Sequence, residues 1–393
     1  PGMHWPLFPV ELISPERFRP PFCPLPDCPR HHRTPDQPFP YRRHGSFIRL
    51  CDGRRVPRYL CSTCRHTFSL QTFAFSYYLK RPELTAAIAA ALVAGSAHRQ
   101  IARSQSCSPG TVTRQAARIG RHTLLLLELA RRSLPDIPEP VIIDDFESFA
   151  WSQFFPFGLS SATGRDSWFV YSLDYSPHRR SGRLTPSQRL ERDALDARHG
   201  RPARGAYRWS FHRQLDRLLG PARGQLVVIS DAHRSYAVAR DRHPQRGRIE
   251  HRVFPNPARG GKGAPRSSQA VTRDREMFAN DLLHRIIRHS QAHHRRETIA
   301  FGRRHNALIE RGMLLAIWRN FVKARSERVQ SVRRTPAMHL ALARSPWGWE
   351  RVFARRLQPS KVRPGEADMR VYRREIVTPP AGNNRKHDLM RAF

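Results

Sequence analysis

Two short apolar runs, Val141-Ile142-Ile143 and Leu226-Val227-Val228-Ile229, both lead into acidic residues: the first into Asp144-Asp145, the second, past Ser230, into Asp231. Runs this short, without helical spacing, predict strands buried on both faces, as in the parallel part of an α/β sheet. Residues 168–173 and 249–254 predict two more strands, the former a sheet neighbour of the 141–146 strand, while 154–159 reads as a turn region. Helical patterns cover 84–93, 97–103, 108–119 with an apolar continuation at 124–129, 206–219, 274–289 and 303–323. Ser108 as N-cap with Pro109 in the first helical position is a clear helix start. In 274–289 the apolar side is Met277, Leu282, Leu283, Ile286 and Ile287. In 303–323, Glu310 shares a face with Met313, Leu314, Ile317 and Phe321. A carboxylate on a core-facing stripe is costly unless paired. A metal held by Asp144 and Asp231 would pair with it, and so would an arginine; Glu297 is the rival third carboxylate.

Ahead of these patterns, residues 1–80 are rich in proline, aromatics and arginine and show little periodicity. They carry Cys23 and Cys28, then Cys61-Ser-Thr-Cys64. Two close cysteine pairs separated by a loop can close four thiolates around Zn²⁺, and in a segment with so little core the metal would supply much of the folding energy. Cys51 or His66 could replace one ligand. Residues 81–134 predict a short helix, a turn and a second helix with polar and basic residues near its start, the helix-turn-helix arrangement whose second helix enters the major groove. Its plausible DNA contacts are Thr111, Thr113, Arg114 and Arg118. Residues 141–357 then form the sheet domain, with a basic, solvated excursion at about 176–205, and 358–393 read as a basic tail. The expected fold class is therefore multidomain α/β.

Charge sharpens the choice of partner. Lys and Arg number 69 against 32 Asp and Glu, a formal net charge of +37 over 393 residues. Such a field favours a polyanion and makes affinity fall steeply with salt. The excess is spread along the chain, which predicts several DNA-facing surfaces rather than one basic arm. No secretory pattern opens the sequence and no apolar run reaches the length of a membrane span, so a cytoplasmic, nucleoid-associated protein is expected, without membrane partners. In that reducing compartment the six cysteines are thiols or metal ligands rather than disulfides.

The order of these parts resembles the DDE transposases of bacterial insertion sequences: zinc ribbon, helix-turn-helix, then a ribonuclease-H-like domain whose mixed sheet is flanked by helices. The likeness runs from about Cys23 to Leu357 and rests on residues 58–69, 141–146, 226–234 and 306–320, with Thr335-Pro336-Ala337-Met338 similar to the end of such enzymes. It implies that Asp144, or its neighbour Asp145, is the first catalytic aspartate, Asp231 the second, and Glu310 the glutamate. The implied chemistry is two-metal phosphoryl transfer with Mg²⁺ or Mn²⁺ on double-stranded DNA, at the element's ends and then at the target, with no covalent protein intermediate. Arg234, Arg319 and Lys323 would hold phosphates, and a homo-oligomer would bring two ends together. A sequence-specific DNA-binding regulator, or an inactive transposase remnant, is the alternative expectation.

Overall fold

The computed structural model describes residues 8–384, apart from 35, 259–260, 262–264, 296–298 and 328–332. Among the described residues the chain is mixed α/β, with two separate sheets and no helix long and apolar enough to cross a membrane.

The smaller sheet is the N-terminal module: β1 (Tyr41–Ile48), β2 (Arg55–Cys61) and β3 (Thr67–Ser69), antiparallel in the order β1-β2-β3. Its core is small and aromatic, with Phe18, Tyr59, Phe68 and Phe73 packed ring against ring. Strand β1 is mostly exposed and carries Arg42, Arg43 and His44 into solvent.

Three helices follow, α1 (Thr85–Val93), α2 (His98–Ser104) and α3 (Pro109–Arg132). Helix α3 starts as the sequence predicts: the Ser108 side chain accepts from the Thr111 N–H, and Pro109, with no N–H of its own to satisfy, takes the first position. It does not end with a separate helix-turn-helix module, because its second half enters the main core. One continuous apolar cluster includes Ile101, Leu125, Leu173, Ile317 and Tyr372.

The larger sheet has the strands β4 (Val141–Phe149), β5 (Pro156–Gly164), β6 (Val170–Pro177), β7 (Leu226–Ser230) and β8 (Ile249–Val253), in spatial order β6-β5-β4-β7-β8. The first three form an antiparallel meander; β7 and β8 add in parallel on the other edge of β4. Two sequence expectations change here. Residues 156–164 are the central strand of the meander rather than a turn, and β6 therefore neighbours β5 and not β4. Helices α4 (Pro186–His199), α5 (Ala206–Leu219) and α6 (Arg234–Asp241) lie between β6 and β8 in sequence. Helix α4 forms within the basic excursion and buries no residue. Helices α7 (Ser268–Glu276), α8 (Phe278–Ser290) and α9 (His305–Ile317) follow β8. Helix α5 packs on one face of the sheet, where its Gln214 side chain donates to the Ser160 carbonyl, while α8 and α9 pack on the other.

Helix α9 is pressed between the sheet and α3. Gly312 faces Leu159 and Leu173, and on the opposite side Gly120 of α3 lies so close to α9 that an added Cβ would sit 2.4 Å from the Glu310 Cβ and 2.8 Å from its Cα. Backbone cannot yield as a flexible side chain can, so Gly120→Ala is expected to destabilise the protein by about 1–3 kcal/mol, read as a fall in Tm.

The C-terminal stretch is not a free tail. Residues 359–384 fold back through short helices, of which Glu366–Tyr372 packs on both α3 and α9. This return and the segment just before it tie the N-terminal module down: the Val10 N–H donates to the Ala354 carbonyl, the Arg356 N–H to the Phe73 carbonyl, and Lys361 Nζ to the His31 carbonyl.

Candidate functional site

Strand pairing places the acids. Val141 pairs with Val228 and Ile142 with Ile229, so the same register carried two residues on sets Asp144, inside β4, beside Asp231, the residue that follows β7. Side chains alternate along β4, which sends Asp144 and Asp145 to opposite faces. Asp144 shares its face with Ser161 of β5 and with α8, whose His284 Nδ1 lies 3.9 Å from the Asp144 Oδ2. Asp145 faces α6 and is held there, its Oδ2 accepting from the Tyr236 hydroxyl at 2.7 Å and its Oδ1 from the Ser176 hydroxyl at 3.1 Å. The doublet that sequence alone leaves ambiguous is thus divided by geometry, with Asp144 the member beside Asp231.

Electrostatics mark the same place. Burial, and after it the carboxylates of Asp231 and Asp145, push Asp144 up to about 8. Burial likewise pushes Asp145 up to about 7, opposed by its two hydroxyl donors. Asp231 is half-buried, its Oδ1 accepting from the His233 N–H at 2.9 Å and its Oδ2 from Asn256 Nδ2 at 3.2 Å. Two neighbouring carboxylates, one of them resisting ionisation first through burial and then through the other's charge, form a place where a divalent cation would relieve the repulsion.

Glu310 does not join them. Its side chain turns away from the sheet toward α3 and the C-terminal return, where Oε1 meets Arg374 Nε at 3.0 Å and accepts from Asn306 Nδ2 at 3.1 Å. Burial pushes the carboxyl up to about 7, against the pull of Arg374 and Arg121. Of the two partners open to this buried glutamate, an arginine is the one the fold supplies. The rival Glu297 lies outside the described residues.

The cysteine pairs do converge. Cys23 and Cys64 have their sulfurs 3.6 Å apart, Cys28 and Cys61 3.9 Å, and all four lie within 4.8 Å of one another. These distances are far too long for disulfides and close to the roughly 3.8 Å that separates sulfurs bound tetrahedrally at about 2.3 Å from one ion. The wide first gap closes through a turn in which the Cys28 N–H donates to the Leu25 carbonyl, and the second pair through one in which the Arg65 N–H donates to the Cys61 carbonyl. Cys51 and His66 are exposed and outside the cluster.

Among the described residues a second compact group of ligand types is His212, Asp216 and His243. Here Asp216 bridges the two rings, 3.2 Å from His212 Nδ1 and 3.1 Å from His243 Nε2. His243 Nδ1 accepts from the Gln245 N–H, so the ring's proton sits on Nε2 and is donated to Asp216. With that nitrogen occupied, the group is a hydrogen-bonded brace between α5 and the end of α6 rather than a ligand set.

The four expected DNA contacts divide as well. Thr113 and Arg114 are exposed and Thr111 half-exposed near the start of α3, next to exposed Arg99 and Arg103 of α2. Arg118 is buried, its guanidinium donating to the carbonyls of Phe75 (2.8 Å) and Tyr77 (2.5 Å), which removes it from any DNA-facing surface. Arg114→Ala is accordingly expected to weaken DNA binding and leave Tm unchanged. Arg118→Ala is expected to cost about 1.5–3 kcal/mol of stability, the worth of buried charged hydrogen bonds, checked by thermal melts beside a DNA-binding titration. Arg319, expected at a phosphate, is also buried, while Arg234 is exposed.

The residues missed by sequence are His284, Asn280 and Ser161, which together line the Asp144 face. The available signal was polar residues one turn apart, at 280 and 284, on the buried stripe of α8 with Leu283 and Ile287.

Comparison of the chain with protein-family models, with curated proteins and with solved structures found no match in any of the three.

Proposed function

We propose that the chain is a metal-dependent DNA strand-cleaving and strand-joining enzyme, the transposase of an insertion sequence. The observation that carries this reading is Asp144 of β4 set beside Asp231, which follows the end of the parallel strand β7. The surrounding topology supports it: a three-stranded antiparallel meander whose first strand is extended in parallel by two more is the ribonuclease-H-like order. Its partner would be double-stranded DNA, favoured by the +37 charge and by the exposed Thr113, Arg114, Arg99 and Arg103 at the paired helices α2 and α3. The four cysteines would hold a structural Zn²⁺ and stabilise the basic N-terminal module.

Asp144 and Asp231 would hold Mg²⁺ or Mn²⁺, which when bound supplies activation of the attacking oxygen and stabilisation of the leaving one. Asp144 contributes one carboxylate oxygen from the buried face, and Asp231 contributes from a turn braced by its own bond to the His233 N–H. Protons compete for the same oxygens. With Asp144 raised to about 8, Mn²⁺ affinity is expected to rise with pH from about 6 and to level off above about 8, measured by calorimetry across that range.

One observation favours a second reading, a protein that binds DNA without cutting it: Glu310 is committed to Arg374 and Asn306 and does not reach the aspartate pair. Incubating the full chain with Mg²⁺ and DNA bearing the ends of the surrounding element separates the two. Strand breaks at those ends followed by joined 3′-hydroxyl products support the transposase, whereas binding without breakage in either Mg²⁺ or Mn²⁺ supports the regulator.

A further inference from the structure

We propose, resting on the metal-site reading above, that His284 is a positioning residue that orients the Asp144 carboxylate through its Nδ1–H. Helix α8 crosses β4 and β5 on the Asp144 face, where the surrounding side chains are largely apolar, with Ile142, Ile229, Met277 and Ala279 in one buried cluster. Into that interface the chain places four polar side chains that form one directed network. The Ser161 hydroxyl donates to Asn280 Oδ1 at 2.7 Å, and the Thr163 hydroxyl to the same oxygen at 3.0 Å. Asn280 is fully buried, and with its carbonyl receiving both hydroxyl protons its amide Nδ2 faces His284 Nε2 at 3.2 Å.

An amide nitrogen only donates, so with Asn280 Nδ2 on it His284 Nε2, which also lies 3.3 Å from the Ser161 hydroxyl, accepts. A neutral imidazole then carries its single proton on Nδ1, the nitrogen that faces Asp144 Oδ2 at 3.9 Å. At 3.9 Å the contact is not yet a hydrogen bond. A small rotation of the Asp144 side chain closes it, and the closed bond favours the ionised carboxylate, whose Oδ1 accepts from the Asp145 N–H at 2.9 Å. Buried polar side chains cost stability unless every member is satisfied, and this chain of donors ends at the one acceptor that metal binding would require to be charged.

The test is Mn²⁺ binding to the full chain loaded with Zn²⁺, read as free Mn²⁺ by paramagnetic resonance, with Tm recorded for each variant. His284→Phe keeps the ring that packs against Phe146 and removes the donor, whereas His284→Asn keeps a donor at the Nδ1 position and removes the ring. The expected result is Mn²⁺ binding weakened on the order of 10- to 100-fold in His284→Phe at little change in Tm, and retained within a few-fold in His284→Asn despite a lower Tm. Unchanged Mn²⁺ affinity in His284→Phe overturns the proposal, and so does equal loss in both variants, which would make the ring itself a ligand. His284→Leu replaces the Phe variant if that one does not fold. Asp231→Asn is measured alongside: if it binds Mn²⁺ as the parent does, the metal-site reading fails, a result distinct from failure of the His284 claim alone.

Discussion

Asp231→Asn is expected to bind end DNA as tightly as the parent chain and to lose cleavage and joining by at least about a thousandfold. The size follows from the role. A divalent ion at a phosphoryl centre stabilises the transition state by several kcal/mol, and each 1.4 kcal/mol is about tenfold in rate. Asparagine has the shape of aspartate and can still accept from the His233 N–H, so the turn after β7 survives while the charge that holds the ion does not. Asp144→Asn is expected to behave in the same way. Asp145→Asn supplies the contrast, because that side chain is occupied on the opposite face by Tyr236 and Ser176; it should lower stability and keep most of the activity. Gel-shift titration and a cleavage assay on the same preparations check all three. Equal activity in Asp231→Asn and the parent would remove Asp231 from the chemistry.

Keeping metal from the cysteine cluster is expected to have the second large effect. The N-terminal module packs few apolar side chains beyond Phe18, Tyr59, Phe68 and Phe73, and its first cysteines lie in a stretch without regular strand or helix. Structural Zn²⁺ in comparably small units contributes on the order of 10 kcal/mol to folding, so chelation or Cys61→Ser is expected to unfold the module. The sheet domain has its own core and should persist. Limited proteolysis reads the difference: cuts appear before about residue 75 in the chelated protein and the remainder stays protected. A strong chelator that leaves the protease pattern unchanged would show that the cysteines fold without an ion. DNA affinity should drop with the module, since β1 exposes Arg42 and Arg43 there.

Sequence pattern was informative where burial and local chemistry agree. The apolar runs of β4 and β7 carry their acids side by side, and the Ser108-Pro109 start of α3 lies where its cap chemistry requires. Strand β5 was not legible, because Gly158, Ser160, Ser161, Ala162 and Thr163 are small or polar and resemble a turn. Its hydroxyls are satisfied only in three dimensions, by Asn280 of α8. The Glu310 stripe was legible as buried but not as to which partner it meets, since Arg374 comes from a C-terminal return that reads as a basic tail. Arg118 misled for a related reason: an arginine near a helix start resembles a phosphate contact until the carbonyls of Phe75 and Tyr77 fold under it.

The central claim is that a divalent ion sits between Asp144 of β4 and Asp231 just past β7, and iron-directed cleavage of the polypeptide tests it most directly. Fe²⁺ in place of Mg²⁺, with ascorbate, generates radicals that cut backbone close to the ion. The account predicts cuts near Asp144 and Asp231 that excess Mg²⁺ suppresses and that Asp231→Asn abolishes. Mg²⁺-suppressible cuts near Glu310 instead, with none near Asp144 and Asp231, would contradict it.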